Sequence, residues 1–468
     1  MEKMKMKKGI AVIAVAALVL MCFAIAGAAD DPATLKYYKN TGSAENPEYS
    51  LVEENISTVF AGKTKGTDYF FIDSWLSNFE EGKIYILTKD ITLDNNSAVN
   101  VDTNITLYGN GHVICGLDGR ECNGIFHSKN GWSGTLNYVQ IADCTINGPL
   151  SSYYVGGLVG HAASATLIGC CAEGCTVNAS NSYGVGSLVG YADFATLTGC
   201  SAENCTINAS NSYDVGGLVG SAHSATLTGC SVDGCTINTS GCGAVGGLVG
   251  YTEDSSSFSN CSVDNCTVGT SSIGYVGGVA GKSHSTSFNG CTAKNCTVGS
   301  AETSIHYVGS LAGYADLVSF ALCNAENCTV QATSTSNYAG GLIGFANSAK
   351  LKECEAKEIL VQFGENPSPA DFGAIVGGDS FGLWDSGNST VTKNGVYTNT
   401  ATPNATKQNF SNLSIDDGKG NSSNNDFDGC DASEVQPVTP QQAQTPVPLA
   451  GILAGLGAAA VLLKLRRH

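Results

Sequence analysis

A unit of thirty residues, repeated through the middle of the chain, limits what this sequence can fold into. One copy is VGGLVGSAHSATLTGCSVDGCTINTS, Val215 to Ser240. The Leu-Val-Gly segment within it recurs at intervals of thirty residues, ending at Gly160, Gly190, Gly220 and Gly250. Later copies, with small changes in sequence and spacing, end at Gly281, Gly313, Gly344 and Gly377. Self-similarity at a fixed period of this size indicates stacked repeats rather than one globular core.

The composition of the unit predicts strands and turns. Its residues are β-branched, small or glycine, in short runs broken by Asn, Ser and Gly, without a 3.6-residue apolar period. Three short strands in thirty residues make one coil of a parallel β-helix, and equivalent positions then stack at roughly 4.8 Å. Within 195–208, with turns at Gly199 and at Glu203-Asn204, we predict five inward side chains: Leu197, Cys200, Ala202, Cys205 and Ile207. In VGGLVG, Leu218 points to one face and Val215 and Val219 point to the other. One of these two apolar rows is therefore either exposed to solvent or covered by another element.

The Gly-Gly-Leu-Val-Gly core resembles the GLUG repeat of bacterial and archaeal surface proteins and adhesins. Ile105–Gly116, ITLYGNGHVICG, resembles the opening coils of pectate-lyase-like β-helix domains. Both resemblances imply an all-β chain folded as a right-handed parallel β-helix, and neither implies a reaction.

Paired cysteines follow the same period, always as Cys-x4-Cys. The pairs are Cys170/Cys175, Cys200/Cys205, Cys230/Cys235, Cys261/Cys266, Cys291/Cys296 and Cys323/Cys328. A further copy keeps Cys354 but has Ile359 in the partner position, while Cys171, Cys242 and Cys430 break the pairing. We consider disulfides within a coil or between coils, a buried thiol ladder, and metal binding. Zinc is disfavoured because its ligand pairs have shorter spacing and no histidine follows the repeat, so we predict disulfides and no metal site.

Asn-x-Ser/Thr sequons occur along the whole chain, and many lie within the repeats. At solenoid corners, as in Asn204-Cys205-Thr206, asparagine also stacks into hydrogen-bonded ladders. We therefore expect glycosylation chiefly in the region after the repeats. The candidates there are Asn388, Asn404, Asn409, Asn412 and Asn421.

The two ends predict export and anchoring. Residues 1–28, with four lysines before an apolar run, are typical of a signal peptide. Residues 386–448 are rich in Asn, Ser, Thr, Gln and Pro and predict a semi-extended stalk. Residues 449–468 combine the apolar run LAGILAGLGAAAVLL with a basic tail, which predicts a transmembrane helix with a cytoplasmic end. This arrangement resembles an archaeal or bacterial C-terminal sorting signal, and a plain anchor is the alternative.

Between these ends we predict two regions. Residues 29–83 lack the repeat and contain large aromatic side chains, as expected of a cap over the open end of a solenoid, with a short helix at 73–79. Residues 84–385 form the β-helix.

The charge pattern disfavours several functions. The chain has a formal net charge of −18, which repels nucleic acid and anionic lipid. Pectate-lyase-like enzymes use a basic residue beside calcium-binding carboxylates. Here Arg120 is the one arginine between the two ends, Asp143 stands without a second aspartate, and His112 is better explained as a turn residue. Asn424–Gly429, NNDFDG, matches half of a calcium loop but is better explained as a polar turn. We therefore expect no catalytic residues, no metal and no cofactor.

We expect a non-catalytic cell-surface glycoprotein held by its C-terminus in the cytoplasmic membrane. About eight to ten coils make a rod on the order of 40–50 Å long, with cell-surface glycans or envelope proteins as partners and no nucleic acid. The alternatives are a self-associating envelope component and a polysaccharide lyase or hydrolase.

Overall fold

The computed structural model describes residues 31–42, 48–94, 97, 99–118, 120–271, 274–300, 305–332 and 338–363, followed by short strands up to residue 424. Side chains are described to residue 361 and at Val376. The apolar segment 449–463 and the stalk sequons lie outside these residues. Among the described residues, no helix is long and apolar enough to cross a membrane.

Five parallel sheets run the length of the repeat region, and each coil contributes one strand to each of them in turn. We name them sheets A to E in the order in which a coil visits them. Sheets A and B have eight described strands each, so the solenoid contains about eight coils of about thirty residues. The predicted all-β parallel β-solenoid is confirmed, with five strands in a coil where three were predicted.

The strand bounds follow the repeat. Sheet A contains Tyr154–Gly156, Gly184–Gly186, Asp214–Gly216, Ala244–Gly246, Tyr275–Gly277, Tyr307–Gly309, Tyr338–Gly340 and Phe372–Gly373. Sheet B contains Val159–Ala163, Val189–Asp193, Val219–His223, Val249–Glu253, Ala280–His284, Ala312–Asp316, Ile343–Asn347 and Val376–Ser380. Sheet C contains Tyr69–Ile72, Ile84–Leu87, Thr106–Tyr108, Thr135–Asn137, Thr166–Ile168, Thr196–Thr198, Thr226–Thr228, Ser257–Ser259, Ser287–Asn289, Ser319–Ala321, Lys350–Lys352 and Trp384–Asp385. Sheet D contains Ile91–Thr92, Val113–Cys115, Gln140–Ala142, Cys171–Glu173, Ser201–Glu203, Ser231–Asp233, Ser262–Asp264, Thr292–Lys294, Asn324–Glu326, Glu355–Lys357 and Thr390–Thr392. Sheet E contains Arg120–Glu121, Thr145–Asn147, Thr176–Ser180, Thr206–Ser210, Thr236–Ser240, Thr267–Thr270, Thr297–Gly299, Thr329–Ala332, Leu360–Phe363 and Thr398–Asn399.

The register stacks equivalent residues, as the period predicts. Leu167, Leu197 and Leu227 are directly paired in sheet C and fully buried. All five side chains predicted to point inward in 195–208 are at most 1% exposed. Gly199 and Asn204 have φ values of 59° and 52°, which places the predicted turns in the left-handed region at the corners. In three coils the leucine of this row is replaced by stacked phenylalanines, Phe258, Phe288 and Phe320.

The VGGLVG segment folds back so that sheet A lies against sheet B. Val215, Leu218 and Val219 are all fully buried, so neither of its apolar rows is exposed. A side chain at Gly220 would overlap the amide nitrogen of Val185 in the preceding coil of sheet A. Glycine is required there because the two backbones are in direct contact.

The N-terminal region packs beside the first coils. Thr34–Asn40 and Tyr49–Asn55 form an antiparallel hairpin, followed by the helix Ile56–Val59. The hairpin contacts the outer face of sheet C, where the amide of Tyr38 donates to Oδ1 of Asn137 at 2.8 Å and the Tyr37 and Tyr108 rings lie 5.8 Å apart. The helix predicted at 73–79 is wrong, because those residues form bends and irregular backbone. A second antiparallel pair joins Ser414–Asp416 to Ser422–Asn424.

Candidate binding surfaces

The repeated cysteines form two vertical ladders inside the solenoid. In each ladder, the thiol of one coil contacts the thiols of the coils before and after it. The first ladder contains Cys170, Cys200, Cys230, Cys261, Cys291, Cys323 and Cys354. The second contains Cys144, Cys175, Cys205, Cys235, Cys266, Cys296 and Cys328. Sequence reasoning did not place Cys144 in this series, because its coil lacks the partner cysteine.

The predicted disulfides are not supported, since every cysteine in the described part of the chain is a free thiol. Pairing within a coil is also geometrically excluded. Cys170 and Cys175 lie at opposite ends of the extended strand Cys171–Glu173, and at about 3.3 Å per residue this strand separates them by about 10 Å, outside the disulfide range of about 7 Å. The thiols instead donate to backbone carbonyls, as Cys200 does to Leu167 at 3.5 Å. This arrangement corresponds to the thiol-ladder alternative.

A groove on the outer face of sheet E is the first candidate binding surface, which we name the polar groove. Its cavity of about 520 Å³ is lined by Asn147, Gly148, Asn178, Ala179, Ser180, Asn208, Ala209, Ser210, Asn238, Thr239 and Ser240. The asparagine amides form a ladder in which Asn178 donates to Asn147 at 2.9 Å, Asn208 to Asn178 at 3.0 Å and Asn238 to Asn208 at 3.2 Å. Two residues along each strand the serines repeat, and the Ser180 and Ser210 hydroxyls lie 2.8 Å apart.

The polar groove contains three of the sequons, at Asn178, Asn208 and Asn238. Their repetition was visible in the sequence, but the bonding of each amide to the next depends on the register of sheet E. The predicted corner ladder is also present in part. Asn327 donates to Asn295 at 2.9 Å, whereas Asn265 donates to the carboxylate of Asp233 at 2.9 Å.

Exposed tyrosines follow the polar groove along the chain. Tyr153, Tyr183 and Tyr213 are between 48% and 65% exposed. Their rings stack at 5.2 and 4.8 Å, with 9° between planes in both pairs. Large aromatic side chains exposed in a row are unusual on a monomer surface and indicate a contact surface.

Aromatic side chains also line the junction between sheets A and B, which we name the aromatic seam. In sheet A these are Tyr154, Tyr275, Tyr307 and Tyr338, and in sheet B they are His161, Tyr191, Tyr251, Tyr314 and Phe345. Tyr154 and Tyr191 stack at 4.5 Å across the two sheets. Sequence reasoning missed this seam because its two positions in the repeat hold an aromatic residue in some coils and a non-aromatic residue in others.

The residues weighed for catalysis make structural contacts. Arg120 donates to the carbonyls of Asp94 at 3.0 Å and Ser97 at 2.7 Å. His112 lies 3.3 Å from Asp90 through its Nδ1 atom, and Asp143 has a φ of 50° at a corner. Within the described residues, no three His, Cys, Asp or Glu side chains are arranged to hold a metal ion.

Comparison with protein families agrees with the repeat. The family model of the GLUG motif matches residues 181–208, 211–238 and 241–269. The chain carries GLUG motif repeats. Each GLUG repeat starts at the corner after sheet E and runs through sheets A, B, C and D into the next strand of sheet E. The family model therefore covers part of the polar groove, including Asn208 and Asn238, and part of the aromatic seam.

Known structures give distant resemblances to this GLUG-repeat chain. The receptor-binding protein of bacteriophage Det7, a tailspike, shares 10% identity over 70% of this chain and 74% of its own, with a TM-score of 0.21. The A-module of the mannuronan C-5 epimerase AlgE6 of Azotobacter vinelandii shares 10% identity over 71% of this chain and 91% of its own, with a TM-score of 0.21. None of the curated proteins compared with the chain matches it.

Proposed function

We propose that this protein is an exported, C-terminally anchored surface glycoprotein whose solenoid binds cell-surface glycans in adhesion. The observation that carries the proposal is the polar groove. It repeats an amide and a hydroxyl on successive coils, held by one another and by the sheet. A rigid array of alternating donors and acceptors suits a ligand with many hydroxyl groups, because little side-chain entropy is lost on binding.

Two further features support a non-catalytic binding role. The tyrosine stack that follows the groove adds flat, partly apolar surface of the kind found at binding sites. Arg120 and His112 are engaged in contacts that hold the first coils together. The predicted signal peptide, stalk and anchor place such a surface outside the cell.

The fuller architecture belongs to the same proposal. We infer right-handed winding, because connections between parallel strands of one sheet are almost always right-handed. The aromatic cluster of Trp75, Phe79 and Tyr85 packs on the first coil, where a cap is needed. The segment 449–468 would then anchor the protein, either as a plain helix or as a sorting signal.

Binding of the purified protein to a glycan array tests the proposal. We expect a defined set of glycans to bind, and Asn208→Ala and Tyr213→Ala each to weaken the binding at least tenfold. Asn289→Ala is the matched control because Asn289 is an exposed asparagine on sheet C, and it should leave binding unchanged. Binding to no glycan, or equal losses in all three variants, contradicts the proposal.

Two other outcomes would favour the alternative functions. Concentration-dependent self-assembly in sedimentation velocity would favour the self-associating envelope component. Cleavage of acidic polysaccharides would favour the polysaccharide lyase or hydrolase.

A further inference from the structure

On the coil that contains Asp214, the aromatic seam lacks a ring in both sheets. The outward row of sheet B there passes from Tyr191 to Ser221 to Tyr251. At the same level, sheet A presents no ring, since Asp214 lies between Gly184 and Ala244. We name this position the Ser221 step.

The spacing at the Ser221 step suits one flat group. Tyr191 and Tyr251 lie on strands two spacings apart, so their backbones are separated by about 9.5 Å. Stacked rings elsewhere in the seam lie between 4.5 and 5.8 Å apart. A flat group midway between the two strands would lie about 4.8 Å from the level of each tyrosine, which is within the range of the seam's own stacks.

The Ser221 step is also anionic. Ser221 acts on the Asp214 carboxyl and lowers its pKa, and Tyr251 donates to Oε2 of Glu253 at 2.8 Å. Burial raises the pKa of Asp214 to about 7, while Lys282 acts to lower it. In the described part of the chain, Asp214 makes no ion pair within 4.0 Å. A desolvated carboxyl without a paired cation is a favourable place for a positive ligand.

The seam already holds one cation from its own chain. Lys282 occupies the next interruption of the sheet B row, between Tyr251 and Tyr314. Its ammonium lies 5.4 Å from the ring centres of Tyr251 and Tyr275 and 5.9 Å from that of Tyr314. Cations are attracted to aromatic faces at this range.

We propose that the Ser221 step binds the guanidinium group of an arginine on a partner protein. A guanidinium is flat enough to stack between the two tyrosines, and its paired N–H groups match a carboxylate. A neutral sugar would stack as well but would leave Asp214 without a counter-charge. A second copy of this chain is disfavoured as the source, because Arg120 is the only arginine between the predicted signal and the basic tail, and its guanidinium is engaged by backbone carbonyls.

The test measures the binding of N-acetyl-arginine amide, the probe, to the full-length protein by saturation-transfer NMR. The citrulline analogue is the neutral control of nearly the same shape, and a methyl hexoside tests for sugar. We expect arginine to bind at least tenfold more tightly than citrulline. Affinity should rise as the pH increases through 7, because the ionised carboxylate is the binding form.

Variants locate the site. Asp214→Asn should weaken arginine binding at least tenfold. Ser221→Tyr should do the same by placing a ring in the step, as the neighbouring coils do with Tyr191 and Tyr251. Glu173→Gln, which neutralises a carboxylate on sheet D, should have no effect. Equal binding of arginine and citrulline, insensitivity to both seam variants, or hexoside binding that Ser221→Tyr removes would overturn the proposal. Glycan binding by the polar groove is measured separately, with the glycan array, so the two proposals can fail independently.

Discussion

At the residue scale, the last glycine of each VGGLVG segment determines how closely sheets A and B approach. Side chains at Gly220, Gly250 and Gly281 would overlap amide nitrogens in the preceding coil of sheet A. Gly269 on sheet E is different, because a side chain there would meet only the carbonyl of Ile237 at 3.7 Å. Only the first kind of glycine is required sterically, and Gly269 stands where the preceding coil has Asn238.

Gly220→Ala should therefore destabilise the protein by about 1–3 kcal/mol or more, as overpacking of a close-packed site does. Gly269→Ala is the matched control, and it should change stability by no more than about 1 kcal/mol in either direction. Urea unfolding followed by circular dichroism measures both. Equal effects of the two substitutions would mean that the sheets are not in backbone contact.

The cysteine ladders make a second prediction at this scale. Burial raises the pKa of the Cys200 thiol well above its usual range, and the residue is fully buried. Cys115 is partly exposed. Iodoacetamide should therefore modify Cys115 in the native protein while leaving Cys200 and its ladder unmodified until denaturant is added, because alkylation needs an accessible thiolate.

Peptide mass spectrometry measures this reactivity and tests the disulfides directly. A bridge inside a Cys-x4-Cys pair, such as Cys200 to Cys205, would contradict the geometry of the coil. A bridge between stacked coils, such as Cys205 to Cys235, would keep the fold and show that the ladder is oxidised, since stacked positions lie within the disulfide range.

At the element scale, the row of large side chains in sheet C shows how one position adapts between coils. Phe258, Phe288 and Phe320 stack at 4.7 and 5.0 Å where other coils have leucine, as at Leu227 and Leu351. The solenoid interior therefore accepts either residue, including where a leucine coil adjoins a phenylalanine coil.

Phe288→Ala should cost about 3–5 kcal/mol, because it removes the middle ring of the stack and leaves a cavity. Phe288→Leu, which introduces the residue found at this position in the coils of Leu227 and Leu351, should cost less than half as much. Chemical denaturation of the two variants measures the difference. Similar losses would indicate that the ring stack itself, rather than volume, stabilises these coils.

The interior was predictable from sequence, and the surfaces much less so. Leu197, Cys200 and Ile207 follow from alternation within a strand and from the thirty-residue period, which are local signals. The burial of both rows of VGGLVG depends on a second sheet packing over it, and nothing in one repeat indicates that partner. The polar groove was partly visible as repeated sequons. The aromatic seam was not visible, because its rings combine two strands and several coils in an irregular order.

At the scale of the whole solenoid, stability is distributed over neighbouring coils. Every strand of sheets A to E pairs with the equivalent strand of the next coil, and the leucine row contacts itself from coil to coil. In such an array, stability is approximately a sum of coil terms and nearest-neighbour terms. Damage to one coil should therefore remain local.

Leu197→Ala tests this, because Leu197 is fully buried between Leu167 and Leu227. We expect hydrogen exchange to accelerate in its own and adjacent coils, with protection retained around Leu351 several coils away. Combining Leu197→Ala with Leu227→Ala should give a non-additive effect, since the two side chains are in contact, whereas combining it with Leu351→Ala should be additive within about 0.5 kcal/mol. Uniform loss of protection along the chain would mean that the solenoid unfolds as one cooperative unit, and that nearest-neighbour pairing does not limit its stability.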